Sequence, residues 1–392
     1  MINFLEEAKA IKNELIAWRR DFHENPELGF QEFRTSKVIK EFLKSEGIPY
    51  IEVATTGVCA LIKGAKEGKT IALRADIDAL PIQDKKQCSY KSKVEGKMHA
   101  CGHDAHTTIL LGAAKILNKH KDLLKGNVKL LFEPAEETVG GSRFMIKEGV
   151  LENPKVDAVI GLHVNESLSA GEIKIKKGVV NAASNPFEIK VKGKGGHGAE
   201  PQNAIDPIVI ASHLVLALQP LVSREISPVN PAVITIGSIH GGAAENVIPD
   251  EVVLKGIIRT MTTEDREYAK RRLEEITKGI TTAFRGDYEI EIQESYPCLY
   301  NDDSMVDLVS NSADKIIGKE NVKEQAAPFM GVESFAYFAM ETKGAFYFLG
   351  IGNKDRNIIS PIHNALFDID EDALPIGVAI QCKSVFDYLT TD

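Results

Sequence analysis

Cysteine is scarce in these 392 residues: Cys59, Cys88, Cys101, Cys298 and Cys382 are scattered and odd in number. That pattern speaks against a disulfide framework and fits a reducing cytoplasm, where free thiols persist. No apolar run approaches the roughly 20 residues that a helix needs to cross a bilayer, so no membrane partner is expected. The N-terminus, Met1-Ile2-Asn3-Phe4-Leu5-Glu6-Glu7, lacks the basic and apolar regions of a signal peptide, and a cytoplasmic location is the expectation. There is no basic excess either. Lys and Arg number 47 against 56 Asp and Glu, and the net charge of -9 argues against nucleic acid as the main partner. Repeats, low-complexity tracts and long linkers are missing as well.

What is present is the composition of a globular protein, 43% hydrophobic and 26% charged. The chain is long for one core, and about two or three folding units are expected. Residues 4–47 read as helices broken at Glu24-Asn25-Pro26-Glu27-Leu28-Gly29, where Pro and Gly punctuate. Strand-like runs follow at 50–63 and 70–73, then a helix over 107–119, a strand at 127–132, a helix at 141–149 and a strand at 156–162. That alternation predicts an α/β sheet with parallel members. The middle reads differently: a strand at 186–195, an apolar helix at 206–222, strands at 232–239 and 251–259, a charged helix at 263–284 and a strand at 287–294. The order βαββαβ is the ferredoxin-like split unit. After Pro297 the α/β pattern resumes with a helix near 303–317, a strand at 345–351 and a helix at 370–389. The expected architecture is therefore a mixed α/β sheet flanked by helices in a discontinuous domain, residues 1–183 and 296–392. A ferredoxin-like domain, residues 184–295, is inserted into it.

The stretch Met98-His99-Ala100-Cys101-Gly102-His103-Asp104-Ala105-His106 sets a thiol, a carboxylate and three imidazoles just before a helical pattern. Glu133-Pro134-Ala135-Glu136-Glu137 follows one apolar run, and Gly161-Leu162-His163 ends another. Asp76 and Asp78 follow a third, and Ser360-Pro361-Ile362-His363-Asn364 stands near the C-terminus. In open α/β sheets ligands gather beyond the carboxyl ends of strands. Mixed Cys, His and carboxylate donors there fit Zn²⁺, or a two-metal centre holding Zn²⁺, Mn²⁺, Co²⁺ or Ni²⁺. Cys101 and His103 are two apart, so both reach one cluster from an extended loop. A bridging thiolate holds two ions at roughly 3.5–4 Å. Plainer readings stand beside these. Cys101 alone is more often a buried structural thiol, and His99 and His106 suit packing or support roles better than ligation. His163 fits a satisfied core histidine, the spacing says little about His363, and Asp104 suits a cap for the helix beginning near Thr107.

Further motifs join this set: Arg19-Arg20 with His23, Pro26-Glu27-Leu28-Gly29, Arg74-Ala75-Asp76-Ile77-Asp78-Ala79-Leu80-Pro81 and Gly195-Gly196-His197. Taken together, and in this order from about residue 15 to the C-terminus, they resemble the amidohydrolase branch of the aminoacylase and carboxypeptidase G metallopeptidase family. That branch holds hippurate hydrolases, indole-acetyl-amino-acid hydrolases, N-acetyl-diaminopimelate deacetylases and thermostable carboxypeptidases. The pairing of Cys-Gly-His-Asp with Glu-Pro-Ala-Glu-Glu is specific; each alone is weaker. The resemblance implies that Cys101, His103, Glu137, His163 and His363 ligate two divalent ions and that Glu136 is the general base and acid. Relatives with a His-x-Asp-x-x-Pro motif use its aspartate to orient a ligand. Here Asp78 stands in that place and Asp76 where the histidine would be, so either aspartate is a candidate. The inserted domain resembles the family's lid and dimerisation domain, which implies a homodimer or a higher oligomer. His197 resembles an oxyanion-stabilising histidine that reaches the neighbouring subunit's site, and Asn246 and Arg259 resemble groups that hold the substrate's carboxylate. A second departure is Gly331-Val332-Glu333-Ser334-Phe335, where relatives usually carry Glu-Asp-Phe.

The implied activity is hydrolysis of a small-molecule N-acyl amino acid by metal-activated water, with Glu136 moving the proton. Carboxyl-terminal cleavage of peptides is the nearest alternative. A thiol hydrolase with Cys101 as nucleophile and His103 or His106 as base is a second enzyme class. A non-catalytic metal-binding or partner-binding protein is a third reading. Glu136 beside Glu137 counts against it, because binding alone needs no adjacent base.

Overall fold

The computed structural model describes residues 2–390. Two compact units divide it: one takes in the chain up to Val180, Tyr300–Ala327 and the chain from Glu333, the other Asn181–Leu299 and Pro328–Val332.

The first unit is built on a mixed eight-stranded sheet. From one edge to the other its strands are Tyr50–Val53, Gly57–Lys63, Lys125–Glu133, Lys66–Asp76, Ala158–Ser169, Lys343–Gly352, Ile173–Ile175 and Val322–Glu324. The central strands Lys125–Glu133, Lys66–Asp76, Ala158–Ser169 and Lys343–Gly352 run parallel to one another. They are buried along most of their length, as parallel strands covered on both faces must be. Helix His103–Lys119, buried over nearly its whole length, packs on the Lys66–Asp76 strand and against the C-terminal helix Ala373–Thr390. Because Asp76 pairs with Glu133 and Arg74 with Gly161, the carboxyl ends of two strands and the middle of a third lie side by side. This is where an open α/β sheet places a ligand.

The second unit is a four-stranded antiparallel sheet in the order Ala232–Gly241, Glu251–Thr260, Ala183–Lys192, Asp287–Ile292, the ferredoxin-like arrangement. Helices Pro207–Pro220 and Thr263–Ala283 pack on it, with Ile189, Leu214, Leu254 and Leu273 in the core. Each helix starts on a capping side chain: Asp206 accepts from Ile208 and Val209, and Thr262 accepts from Asp265. Pro207–Glu225, with a mean hydropathy of 1.4, is the one described helix long and apolar enough to cross a membrane, against the expectation that no apolar run approaches that length. Its Ile210, Ala211, Leu214 and Leu218 are buried in the unit's own core.

Three local expectations need correction. The strand expected to end at Leu162 runs on to Ser169, because its partner Lys343–Gly352 keeps pairing with it past His163. The run at 50–63 is two strands, broken by a turn in which Ala54 and Thr55 take positive φ. The helix expected from Thr107 starts at His103, so Asp104 lies inside its first turn and does not cap it.

Candidate metal centre

Gly102 makes this start possible. It takes φ +90°, which a side chain disfavours, and a Cβ there would lie 2.3 Å from Val164 Cγ2. The left-handed turn puts Cys101 before it and His103 after it, and His106 one helical turn on. Two further ties hold this loop. Met98 pairs with Leu80 across an isolated bridge, and His363, at φ +62°, donates its N–H to Ala100 O at 2.7 Å. The Glu136 turn is similarly forced. Ala135 takes φ +53°, and the buried Glu32 carboxylate accepts its N–H at 2.8 Å.

The donors then converge. His103 Nδ1 lies 2.9 Å from Asp78 O and 3.1 Å from Asp78 Oδ1, which fixes it as the N–H side. His103 Nε2 is left buried without a hydrogen bond. His163 donates from Nδ1 to Val164 O at 2.7 Å and holds Nε2 3.2 Å from Cys101 Sγ. Glu137 donates its N–H to Asp78 Oδ2 at 3.0 Å, and its Oε1 lies 3.3 Å from His363 Nε2 and 3.8 Å from His103 Nε2. That oxygen too is buried without a hydrogen bond. Two trios, Cys101 with His103 and His163, and Cys101 with Glu137 and His363, each bring their ligand atoms within 4.8 Å of one another. Cys101 belongs to both. Unpartnered buried donor atoms, two imidazoles whose tautomers are set from behind, and one shared thiol fit divalent transition ions.

Most other groups here are engaged elsewhere. His106 Nδ1 lies 2.6 Å from Asp76 Oδ1 while its Nε2 accepts the Val164 N–H at 2.9 Å, so neither nitrogen is open. His99 is buried with both nitrogens unpartnered, and burial pushes it down to about 3, leaving it neutral. Asp78 touches His103 and Glu137, whereas Asp76 grips His106 and Arg74 and lies 3.6 Å from His103 Nε2. Asp104 accepts from Arg19 Nε at 3.0 Å and lies 2.6 Å from His23 Nδ1, all three fully buried. Arg19 also donates to Asp368 at 2.9 Å. It thereby ties the segment after His103 to the one after His363.

Electrostatics sort the acids. Burial, with Glu333 and Glu137 nearby, holds the Glu136 carboxyl well above its ordinary range. Burial would also raise Glu137, but His363 and His103 pull it down. Burial lowers His163 to about 3, so it offers a lone pair at neutral pH. The Cys101 thiol is pushed well up by burial and then by Glu137, which disfavours it as a free nucleophile.

Arg74 and Glu133 received no role from the sequence. Arg74 is fully buried and donates to Glu133 Oε2 at 2.6 Å, Asp76 Oδ2 at 2.8 Å and Ser334 Oγ at 2.8 Å. The available signal was a lone arginine inside the apolar run Ile71–Ala75, which a solvated surface charge would not choose.

Three candidates lie in the second unit. His197 and Asn246 come together: Gly196–His197 pairs with Val247–Ile248, and both side chains line one groove. Arg259 is not brought to them. It sits eight positions along its strand from Glu251, opposite Ser184, roughly 25 Å from that end. One of its guanidinium nitrogens is buried without a partner.

The model of peptidase family M20/M25/M40 matches residues 72–387. The chain is 41% identical to IAA-amino acid hydrolase ILR1-like 4 of Arabidopsis thaliana over 98% of its own length and 88% of that protein's. It is 40% identical to thermostable carboxypeptidase 2 of Saccharolobus solfataricus over 95% of its length and 94% of that protein's. The crystal structure of the Bacillus subtilis YXEP protein, described as a dinuclear metal binding peptidase from the M20 family, superposes with a TM-score of 0.85 at 35% identity. That superposition covers 98% of this chain and 100% of the other. The chain therefore belongs to peptidase family M20/M25/M40, in its amidohydrolase branch, and is a metal-dependent hydrolase.

Proposed function

We propose that this protein hydrolyses the amide bond of small N-acyl amino acids, with two divalent ions held by Cys101, His103, Glu137, His163 and His363. The observation that carries the reading is the pair of donor trios sharing Cys101, with the Glu136 carboxylate next to the ligand Glu137. The names of the Arabidopsis hydrolase and the YXEP protein point the same way. Bound cations would supply Lewis acidity towards the acyl carbonyl and acidify a water molecule. Glu136 takes the proton of the attacking water and returns it to the leaving amine. Its burial suits the exchange, because a carboxyl held well above its ordinary range takes up a proton more readily than an exposed one. Asp78 fixes the His103 tautomer and the Glu137 backbone. Zn²⁺, Mn²⁺, Co²⁺ and Ni²⁺ all suit the mixed donor set.

His197 donates to the oxyanion and Asn246 and Arg259 hold the substrate carboxylate, with the groove that carries His197 and Asn246 serving the site of a second copy in a homodimer. The distance between Arg259 and the His197 groove within one unit supports that division. So does the edge strand Ala232–Gly241 beside exposed Ile208, Val209 and Leu216, an unpaired edge and apolar face that a partner would cover. His197→Ala is expected to cut kcat by roughly 10²–10³-fold in a protein that light scattering finds dimeric. A fully active variant, or a fully active monomer, would contradict this.

Residues 184–295 then act as lid and dimerisation domain, and the enzyme works in the cytoplasm. Carboxyl-terminal cleavage of peptides is the rival, favoured by the thermostable carboxypeptidase relative. A panel of N-acetyl, N-benzoyl and indole-acetyl amino acids and N-acetyl-diaminopimelate, set against tripeptides, decides between them. At least one N-acyl amino acid is expected to exceed the peptides by roughly tenfold or more in kcat/KM; the reverse order overturns the assignment.

A further inference from the structure

Ser334 departs from the expected Glu-Asp-Phe, and its surroundings give it work. It is fully buried at the start of helix Phe335–Glu341. Its backbone N–H donates to Glu136 Oε1 at 3.0 Å. Its hydroxyl donates to Glu133 Oε1 at 2.6 Å and accepts from Arg74 Nη2 at 2.8 Å. Its carbonyl accepts from the Ser142 hydroxyl at 2.9 Å, and the Ser142 N–H donates to Glu133 Oε1 at 2.6 Å. Every polar group of Ser334 is thus committed to the segments that carry, or lie beside, Glu136.

We propose that Ser334 is a positioning residue for Glu136; this rests on the reading of Glu136 as general base. The hydroxyl locks the turn, and the turn's N–H holds the carboxylate. A serine does this in a way an ionised carboxylate does not. Its hydroxyl accepts from Arg74 and donates to Glu133 at once, whereas a carboxylate only accepts. Arg74 already serves Asp76, Glu133 and Glu333, the last at 3.1 Å. A neutral residue satisfies Glu133 without adding another negative charge beside Glu136 in a buried site.

The test is kinetic. Ser334→Ala keeps the N–H but unlocks the turn, and a base displaced by a fraction of an ångström is expected to lose about ten- to a hundredfold in kcat. KM stays within about threefold and metal content is unchanged, since Ser334 touches no ligand. In a Glu136→Asp background, where the carboxylate is already displaced, Ser334→Ala costs at most about twofold more; coupled residues fail to add in this way. Ser334→Cys keeps the volume with a weaker donor and serves where alanine does not fold, with a loss smaller than that of alanine. The inference is overturned by Ser334→Ala within twofold of wild type, or by equal losses in both backgrounds, which would mark a merely structural role. A fully active Glu136→Gln would instead sink the base assignment itself. An inactive Glu136→Gln beside an unimpaired Ser334→Ala sinks this inference alone.

Discussion

Glu136→Gln is expected to lower turnover by roughly 10²–10⁴-fold, the span associated with losing a positioned general acid–base, while binding the same amount of metal as the wild type. The amide keeps the size of the side chain and can still accept the Ser334 N–H. It cannot take up and return a proton. Glu137, one residue on, is turned towards His363 and His103 and stays available to cations. Activity on an N-acyl amino acid, read beside elemental analysis of the same sample, checks both halves. Loss of metal together with activity would make Glu136 a ligand, and full activity would remove it from the mechanism.

Gly102→Ala is expected to have an effect of similar size by a different route. The added Cβ would meet Val164 Cγ2 at 2.3 Å in a backbone conformation at φ +90° that alanine resists. Relief requires the turn to move, and Cys101 and His103 move with it. Because Cys101 belongs to both donor trios, both metal positions suffer. The buried Asp104, held by Arg19 and His23, is dragged from its partners as well, and uncoupling such a group costs about 3–5 kcal/mol. A lower Tm and sub-stoichiometric metal are the expected readouts. Wild-type metal content and Tm would show that the turn tolerates a side chain.

The candidate donors that cluster here were legible because their chemistry is written locally: thiol, imidazole and carboxylate in short motifs after apolar runs. Strand alternation put those motifs at one side of a sheet, and the βαββαβ order in the middle gave the ferredoxin-like unit. Asp104 shows where local reading fails. It looks like a helix cap, yet its carboxylate goes to Arg19 and His23, 85 and 81 residues earlier in the chain, and the helix starts on Gly102 with no side-chain cap. Arg74 and Ser334 were silent for the same reason. Their bond spans 260 residues, and nothing near either position announces it. The strand expected to end at Leu162 instead continues across a bulge, with Asn165 opposite Gly350 and Ser169 opposite Gly352, pairings that nothing local announces. The division of labour between Asp76 and Asp78 also needed three dimensions, since alternation along a strand does not say which imidazole each one meets.

The central claim is that two divalent cations sit on donor trios joined by one thiol. It is tested most directly by titrating Co²⁺ into chelator-stripped protein while following the thiolate-to-metal absorption band and hydrolysis of an N-acyl amino acid. Two ions bound per chain, a sulfur band that Cys101→Ala abolishes, and hydrolysis restored with the ions are the predicted results. Undiminished hydrolysis by fully stripped protein, or saturation with no sulfur band, would contradict it.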